Sequence, residues 1–97
     1  MTLTAEFRSS EWELVLKYED GSLPATQWNV ETLTIVARWY AKNLDRNAAT
    51  ARYREYYERN HRRLMNRREG AEVATAAIEA VDKVWESLLT QALDAKA

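Results

Sequence analysis

The sequence contains no cysteine, one histidine, one proline and two glycines among its 97 residues. Without cysteine there can be no disulfide and no thiolate metal ligand, and one histidine cannot form a histidine-based metal site. Two glycines exclude the glycine-rich loops that bind phosphates. No apolar run approaches the length of about 18 residues that spans a membrane, and the first ten residues lack the pattern of a secretory signal. We therefore expect a cytoplasmic protein without a metal or a cofactor.

The composition is typical of a globular domain, with 46% hydrophobic and 30% charged residues. A chain of this length can bury a hydrophobic core that is stable without disulfides or bound metals, so we predict one domain over residues 1–97. The charge is unevenly distributed, with a net of −3 in residues 1–40, +5 in 41–69 and −3 in 70–97. An electropositive segment between two acidic ones is informative about binding partners rather than about fold.

Residues 11–18 alternate between apolar and mostly charged side chains. The apolar positions are Trp12, Leu14, Leu16 and Tyr18. A period of two predicts a half-buried β-strand. The alternative is a short helix that Ser10 caps, with Glu13 at the capping-box position.

The dipeptide Asp20-Gly21 follows this segment and favours a two-residue hairpin turn. Pro24 cannot donate a ladder hydrogen bond, so the returning arm is expected at an edge. We therefore predict an antiparallel β-hairpin within residues 1–28, which Thr2–Arg8 can extend to three strands.

Helical patterns occupy the rest of the chain. Helices are predicted over 29–44 and 47–69, each beginning at an asparagine that can cap it, and over 71–93, where the apolar arc is clearest. The join at Gly70 predicts that the last two helices form an antiparallel hairpin. The alternative is one helix from 47 to 93, since a glycine costs a helix only about 1 kcal/mol. The predicted fold class is α+β, with the β-hairpin packed on two or three helices.

The basic middle segment is the best functional lead. Arg52, Arg59 and Arg63 recur on one face of the predicted helix, with Tyr56 alongside and Arg62 flanking them. Guanidinium groups beside an aromatic ring suit phosphates and unpaired bases, and they suit the carboxylates of an acidic protein surface equally well. The alternative is a solvated structural face, on which these arginines pair with glutamates one turn away or cover neighbouring elements.

Trp28 is placed differently from the other tryptophans. In the predicted hairpin it lies on the face opposite Leu14 and Leu16. If that face is open, Trp28 belongs to a docking surface, because exposed tryptophan, tyrosine and arginine dominate binding hot spots. If another element covers the face, Trp28 belongs to the core.

Arg54 and His61 lie seven residues apart, hence on one face of the predicted helix. An arginine followed several residues later by a histidine resembles the motif of HEPN-type ribonucleases. The resemblance implies a hydrolytic nuclease with these two residues in its site. His61 lies in a basic run in which no carboxylate partner for it is evident.

These observations favour a small non-enzymatic binding module that docks onto a larger protein or nucleoprotein assembly through its arginine-rich helix. Such an adaptor or inhibitor has the character of the small inhibitors that phages and mobile elements encode. The predicted binding surface consists of Arg52, Tyr56, Arg59, Arg62, Arg63 and Trp28. Direct nucleic-acid binding through the basic helix is the alternative, followed by a HEPN-like ribonuclease. A homodimer also stays open, since a second copy can cover the apolar arc of the last helix.

Overall fold

The computed structural model describes the backbone of residues 2–66 and 71–96, with side chains for 11–66, 75–76 and 78–95. Within these ranges the chain forms α-helices joined by turns. The helices are α1 (Thr2–Asp20), α2 (Val30–Asn43), α3 (Arg46–Met65), α4 (Ala71–Asp82) and α5 (Trp85–Lys96). A short 3₁₀ turn, Ala25–Gln27, lies between α1 and α2. None of the helices in the described ranges has both the length and the apolarity needed to cross a membrane.

The predicted α+β fold with an N-terminal β-hairpin is wrong, because α1 occupies most of residues 1–28 and no strand occurs in the described ranges. Trp12 and Leu16, expected on a buried strand face, are exposed at 42% and 45%. Val15, which interrupts the alternation, is fully buried three residues before the buried Tyr18. A burial spacing of three residues is helical. Residues 11–18 are helical, as in the alternative, but they belong to a helix of 19 residues that begins at Thr2 rather than to a short helix that Ser10 caps.

Gly21 ends α1 instead of turning a hairpin. Its φ is +74°, and its N–H donates to the Tyr18 carbonyl at 3.2 Å. The Ser22 N–H donates to the Lys17 carbonyl at 2.9 Å, and these two bonds together form a Schellman motif. A hairpin turn and a Schellman motif both require a residue with positive φ, so the Asp-Gly dipeptide alone does not distinguish between them.

Side-chain caps begin α2 and α3. Asn29 caps α2 as predicted, since its Oδ1 accepts the Thr32 N–H at 2.8 Å. The start of α3 differs from the prediction, because Asp45 rather than Asn47 accepts the Ala48 N–H, also at 2.8 Å. A carboxylate at this position also interacts favourably with the positive end of the helix dipole.

The C-terminal segment is not the continuous helix predicted over 71–93. A turn at residues 83–84 separates α4 from α5, and the Val84 N–H donates to the Val81 carbonyl at 3.0 Å. The single helix from 47 to 93 is also wrong, because α3 ends at Met65. The predicted join at Gly70 lies outside the described residues.

The helix α3 runs antiparallel to the C-terminal segment. Three side-chain contacts connect the two in reversed order along the sequence. They are the ion pairs Arg46–Asp94 at 3.0 Å and Arg54–Glu86 at 3.2 Å, and the approach of the His61 imidazole to the Asp82 carboxylate at 3.6 Å. On its other side, α5 packs extensively against α2. The segment after residue 70 therefore bridges α2 and α3.

Tyrosines fill the core where α1, α2 and α3 meet. The ring of Tyr18 lies 5.8 Å from that of Tyr53 and 6.2 Å from that of Tyr40, between centres. Each phenol donates a hydrogen bond: Tyr18 to the Tyr53 carbonyl at 2.5 Å, Tyr40 to Glu19 at 2.7 Å and Tyr53 to the Trp85 carbonyl at 2.8 Å. These bonds satisfy the hydroxyl groups of the three buried tyrosines. Burial raises the pKa of all three phenols above the ordinary tyrosine value.

Candidate functional site

The buried side chain of Asn60 on α3 binds the chain that leaves α1. Its Nδ2 donates to the Tyr18 carbonyl at 2.7 Å, and its Oδ1 accepts the Leu23 N–H at 3.3 Å. Nδ2 also donates to the Tyr56 carbonyl of its own helix at 2.8 Å. Asn60 is fully buried, so it replaces solvent as the hydrogen-bonding partner of these backbone groups.

Two predicted binding arginines bind the same connection. Arg59 donates to the Glu19 carbonyl at 3.2 Å, and its Cγ and Cδ lie 3.0 Å from the position that a Cβ on Gly21 would occupy. The half-buried Arg63 donates to the Leu23 carbonyl. Carbonyls at the end of a helix carry its negative dipole end, which favours cations there. These two arginines therefore have an intramolecular role.

The exposed part of the basic helix forms a smaller surface than the sequence predicts. Arg52, Arg59 and Arg62 are exposed, and Tyr56 is half-buried. The guanidinium carbon of Arg59 lies 5.1 Å from the centre of the Tyr56 ring, which is a cation–π contact. We call these four residues the α3 patch. The exposed Glu55 lies among them on the same helix face, and the exposed Glu58 lies one turn before Arg62, so three arginines and two glutamates give a local net charge of +1.

Trp28 belongs to the core. It is 1% exposed, and its ring lies 5.2 Å from that of Tyr57 and 6.4 Å from that of Tyr18. The sequence left open whether Trp28 lies on an exposed docking face or in the core, and the structure places it in the core. The 3₁₀ turn before α2, rather than a hairpin arm, places this side chain between α1 and α3.

His61 has a carboxylate partner that the sequence did not reveal. Its Nε2 lies 3.6 Å from the Asp82 Oδ2 at the end of α4, and the Tyr57 hydroxyl donates to the other oxygen of Asp82. The Trp85 ring stacks on Tyr57 at 3.9 Å. Burial and the hydrogen bond to Asp82 raise the pKa of Tyr57. These residues line an open cleft of about 550 Å³.

Arg54 and His61 bind different acids on the facing segment. Arg54 is exposed and pairs with Glu86 at 3.2 Å, and it lines a neighbouring cleft rather than that of His61. The two residues of the HEPN-like motif thus line separate clefts, and ribonuclease activity stays a prediction from the sequence. Among the side chains that the structure describes, no three acids or histidines are grouped closely enough to hold a metal ion.

A larger cleft, of about 730 Å³, lies between α2 and α5, and sequence reasoning missed it. Its lining consists of Thr34, Arg38, Ala41, Lys42, Leu88, Gln91, Ala92 and Ala95. Leu88 and Ala92 belong to the apolar arc of the last predicted helix, and Arg38 and Lys42 lie one turn apart on α2. We call this cleft the α2–α5 groove. The two helices are separated by α3 and α4 in the chain, so only tertiary packing brings the lining together.

Comparisons of the chain with protein-family models, with curated proteins and with solved structures give no match.

Proposed function

We propose that this chain is a non-enzymatic docking module that binds an acidic surface of a larger protein through the α3 patch, as an adaptor or an inhibitor. The observation that carries the proposal is the position of Arg59. Its guanidinium is held against the Tyr56 ring and the Glu19 carbonyl, yet the residue stays exposed. A pre-positioned guanidinium loses less side-chain entropy when it binds a carboxylate than a mobile one does.

The opposite face of α3 supports this surface. Tyr53, Tyr57, Asn60 and Leu64 are buried, at 1%, 4%, 0% and 1% exposure, and connect α3 to its neighbours. Binding groups are held more accurately on a packed helix than on a loop. The α3 patch is therefore presented by a helix whose buried residues hold it against its neighbours.

The nucleic-acid alternative uses the same arginines, but two observations favour a protein partner. The exposed Glu55 lies among Arg52, Arg59 and Arg62. A phosphate chain is negative along its whole length, whereas an acidic protein surface can place one cation opposite Glu55 and carboxylates opposite the arginines. The whole chain carries a formal net charge of −1, whereas a positively charged domain is typical of nucleic-acid binding.

The test is affinity capture from a lysate of the source organism, with nuclease-treated and untreated halves. The wild type is compared with Arg52→Gln/Arg62→Gln, which removes two charges from the α3 patch. The matched control, Arg46→Gln/Arg54→Gln, removes two charges from the same helix outside the patch and breaks only exposed ion pairs, which contribute little to stability.

We expect a defined protein that survives nuclease treatment, with affinity lowered about tenfold or more by the patch variant and unchanged by the control. A tenfold loss corresponds to about 1.4 kcal/mol. Equal binding by the patch variant and the wild type would contradict the proposal. Loss of all captured material on nuclease treatment would contradict it too, in favour of nucleic-acid binding.

The HEPN-like ribonuclease is retained as a second candidate because of one contact, that of His61 with Asp82. A carboxylate can orient an imidazole and stabilise its protonated form during acid–base catalysis. The test is incubation of the purified chain with single-stranded RNA, using His61→Ala and Arg54→Gln as variants. Cleavage that both variants abolish would make the protein an enzyme, whereas cleavage that persists in His61→Ala comes from a contaminant.

A further inference from the structure

The charged side chains that line the α2–α5 groove are all positive. Its floor is apolar and built from small or aliphatic residues, among them Ala41, Leu88 and Ala92. Both charged residues in the lining, Arg38 and Lys42, are basic and exposed. Such a groove fits an apolar side chain that is accompanied by carboxylates.

A complementary surface exists on α1 of the same chain. Trp12 and Leu16 lie one turn apart and are exposed at 42% and 45%. Glu13, Lys17 and Asp20 are exposed on the same side of the helix, so the surrounding net charge is −1. We call these five residues the α1 strip. Adjacent large exposed hydrophobics with a polar rim are typical of an interaction site.

The α1 strip and the α2–α5 groove are neighbours on the molecule. The Trp12 ring contacts the Trp39 ring of α2, with 5.1 Å between centres. A smaller cleft joins Trp12 and Trp39 to Lys42, and Lys42 also lines the groove. A two-fold axis beside Lys42 can therefore place the strip of each copy against the groove of the other.

We propose that the chain forms a symmetric homodimer in which the α1 strip of each copy binds the α2–α5 groove of the other. Trp12 and Leu16 occupy the apolar floor, and Glu13 and Asp20 face Arg38 and Lys42. The two-fold symmetry repeats the strip–groove contact, so the dimer contains it twice. The buried area is then twice that of one helix in one groove, which brings a small contact closer to the size of a stable interface. The α3 patch takes no part, so this proposal does not depend on the proposed function.

The first test measures the mass of the full chain in solution by light scattering and sedimentation equilibrium over a wide concentration range. We expect the wild type to reach twice the monomer mass of 11.3 kDa. Trp12→Ala/Leu16→Ala should shift the equilibrium to the monomer. The matched control is Val30→Ala/Met65→Ala, which truncates two other exposed hydrophobics, at 41% and 59%, and should leave the dimer intact. Circular dichroism verifies that both variants stay helical.

The second test exchanges the charges. Arg38→Glu/Lys42→Glu makes the groove acidic, and Glu13→Lys/Asp20→Lys makes the strip basic. Each variant alone should be monomeric, because its groove and strip then carry the same sign. The equimolar mixture should form a dimer, because each strip again faces a groove of opposite charge.

Three results would overturn the proposal. They are a wild type that stays monomeric throughout, a dimer that survives Trp12→Ala/Leu16→Ala, and charge variants that do not associate when mixed. A wild-type monomer that binds a synthetic acidic amphipathic peptide in the groove would identify a helix of another protein as the occupant instead.

Discussion

Arg59 packs its aliphatic stem against Gly21 at the residue where α1 ends. A Cβ at position 21 would lie 3.0 Å from the Arg59 Cγ and Cδ, and the guanidinium binds the Glu19 carbonyl beyond them. The basic helix and the end of α1 are therefore fitted to each other. An arginine that resembles a surface charge in the sequence is a structural contact in the fold.

Gly21→Ala should lower the free energy of unfolding by about 1–2 kcal/mol, since an L-residue is strained at a φ of +74°. Urea titration followed by circular dichroism measures this. Gly21→Asn is the matched variant and should lose less, because asparagine tolerates this region better. Equal stability of Gly21→Ala and the wild type would show that α1 does not end in the Schellman motif.

Asn60→Ala should destabilise the protein by about 3 kcal/mol. The substitution leaves the Leu23 N–H and the Tyr18 carbonyl without their side-chain partner in a buried site. Thermal and urea unfolding measure the loss. Asn43→Ala, which removes an exposed amide that binds only a backbone carbonyl of its own helix, should cost about 0.5 kcal/mol or less. Similar losses for the two variants would contradict the role assigned to Asn60.

Asp45→Ala should cost about 1 kcal/mol, because it removes the N-cap of α3. Asn47→Ala should change the free energy of unfolding by no more than about 0.5 kcal/mol. The same urea titration compares the two. The opposite order would restore the cap that the sequence predicts.

Trp28→Ala should cost about 3–5 kcal/mol, as large-to-small substitutions in a core do. Trp12→Ala, the same change at an exposed position, should cost far less. Differential scanning calorimetry on the two variants separates the roles of these residues. Near-equal melting temperatures would mean that Trp28 is not packed as described.

The contribution of the buried tyrosines to stability should fall steeply above about pH 10. Burial raises the pKa of the Tyr18, Tyr40, Tyr53 and Tyr57 phenols in the fold above the ordinary tyrosine value of about 10, so the unfolded chain releases these protons first as the pH rises. Their stabilising contribution is complete below the unfolded pKa and is lost above it, by about 1.4 kcal/mol per pH unit for each phenol.

Urea unfolding across alkaline pH, together with tyrosinate absorbance, tests this dependence. The buried phenols should ionise together with unfolding. Tyr57→Phe should reduce the slope of stability against alkaline pH by one proton, whereas Val30→Ala, at an exposed position without an ionisable group, should leave the slope unchanged. Ionisation of all the tyrosines in a protein that remains folded would contradict the burial assigned to them.

Local signals in the sequence predicted the middle of the chain well. Asn29 caps α2 because its side chain reaches an N–H only three residues away. The alternation over 11–18 misled because a period of two and a period of 3.6 overlap in a short segment. Tyr18 packs against Tyr40 of α2 and Tyr53 of α3, and neither contact can be read from residues 11–18 alone.

The candidate sites were less predictable than the helices. The sequence placed Arg52, Arg59 and Arg63 on one helix face, which follows from the helical repeat. It could not show that the Glu19 and Leu23 carbonyls would accept hydrogen bonds from two of these arginines. The sequence also did not indicate that Asp82 is the partner of His61, because the two lie 21 positions apart on different helices.

The sequence by itself determined the absence of thiol chemistry, the positive charge of the middle segment and the start of α2 at its Asn29 cap, because these depend on composition or on contacts within one turn. Only the tertiary structure decided that α1 is a helix, that Trp28 is buried and that α2 and α5 enclose a basic groove. These features depend on which faces meet after folding, and a residue's neighbours across a helix interface are not its neighbours in the chain.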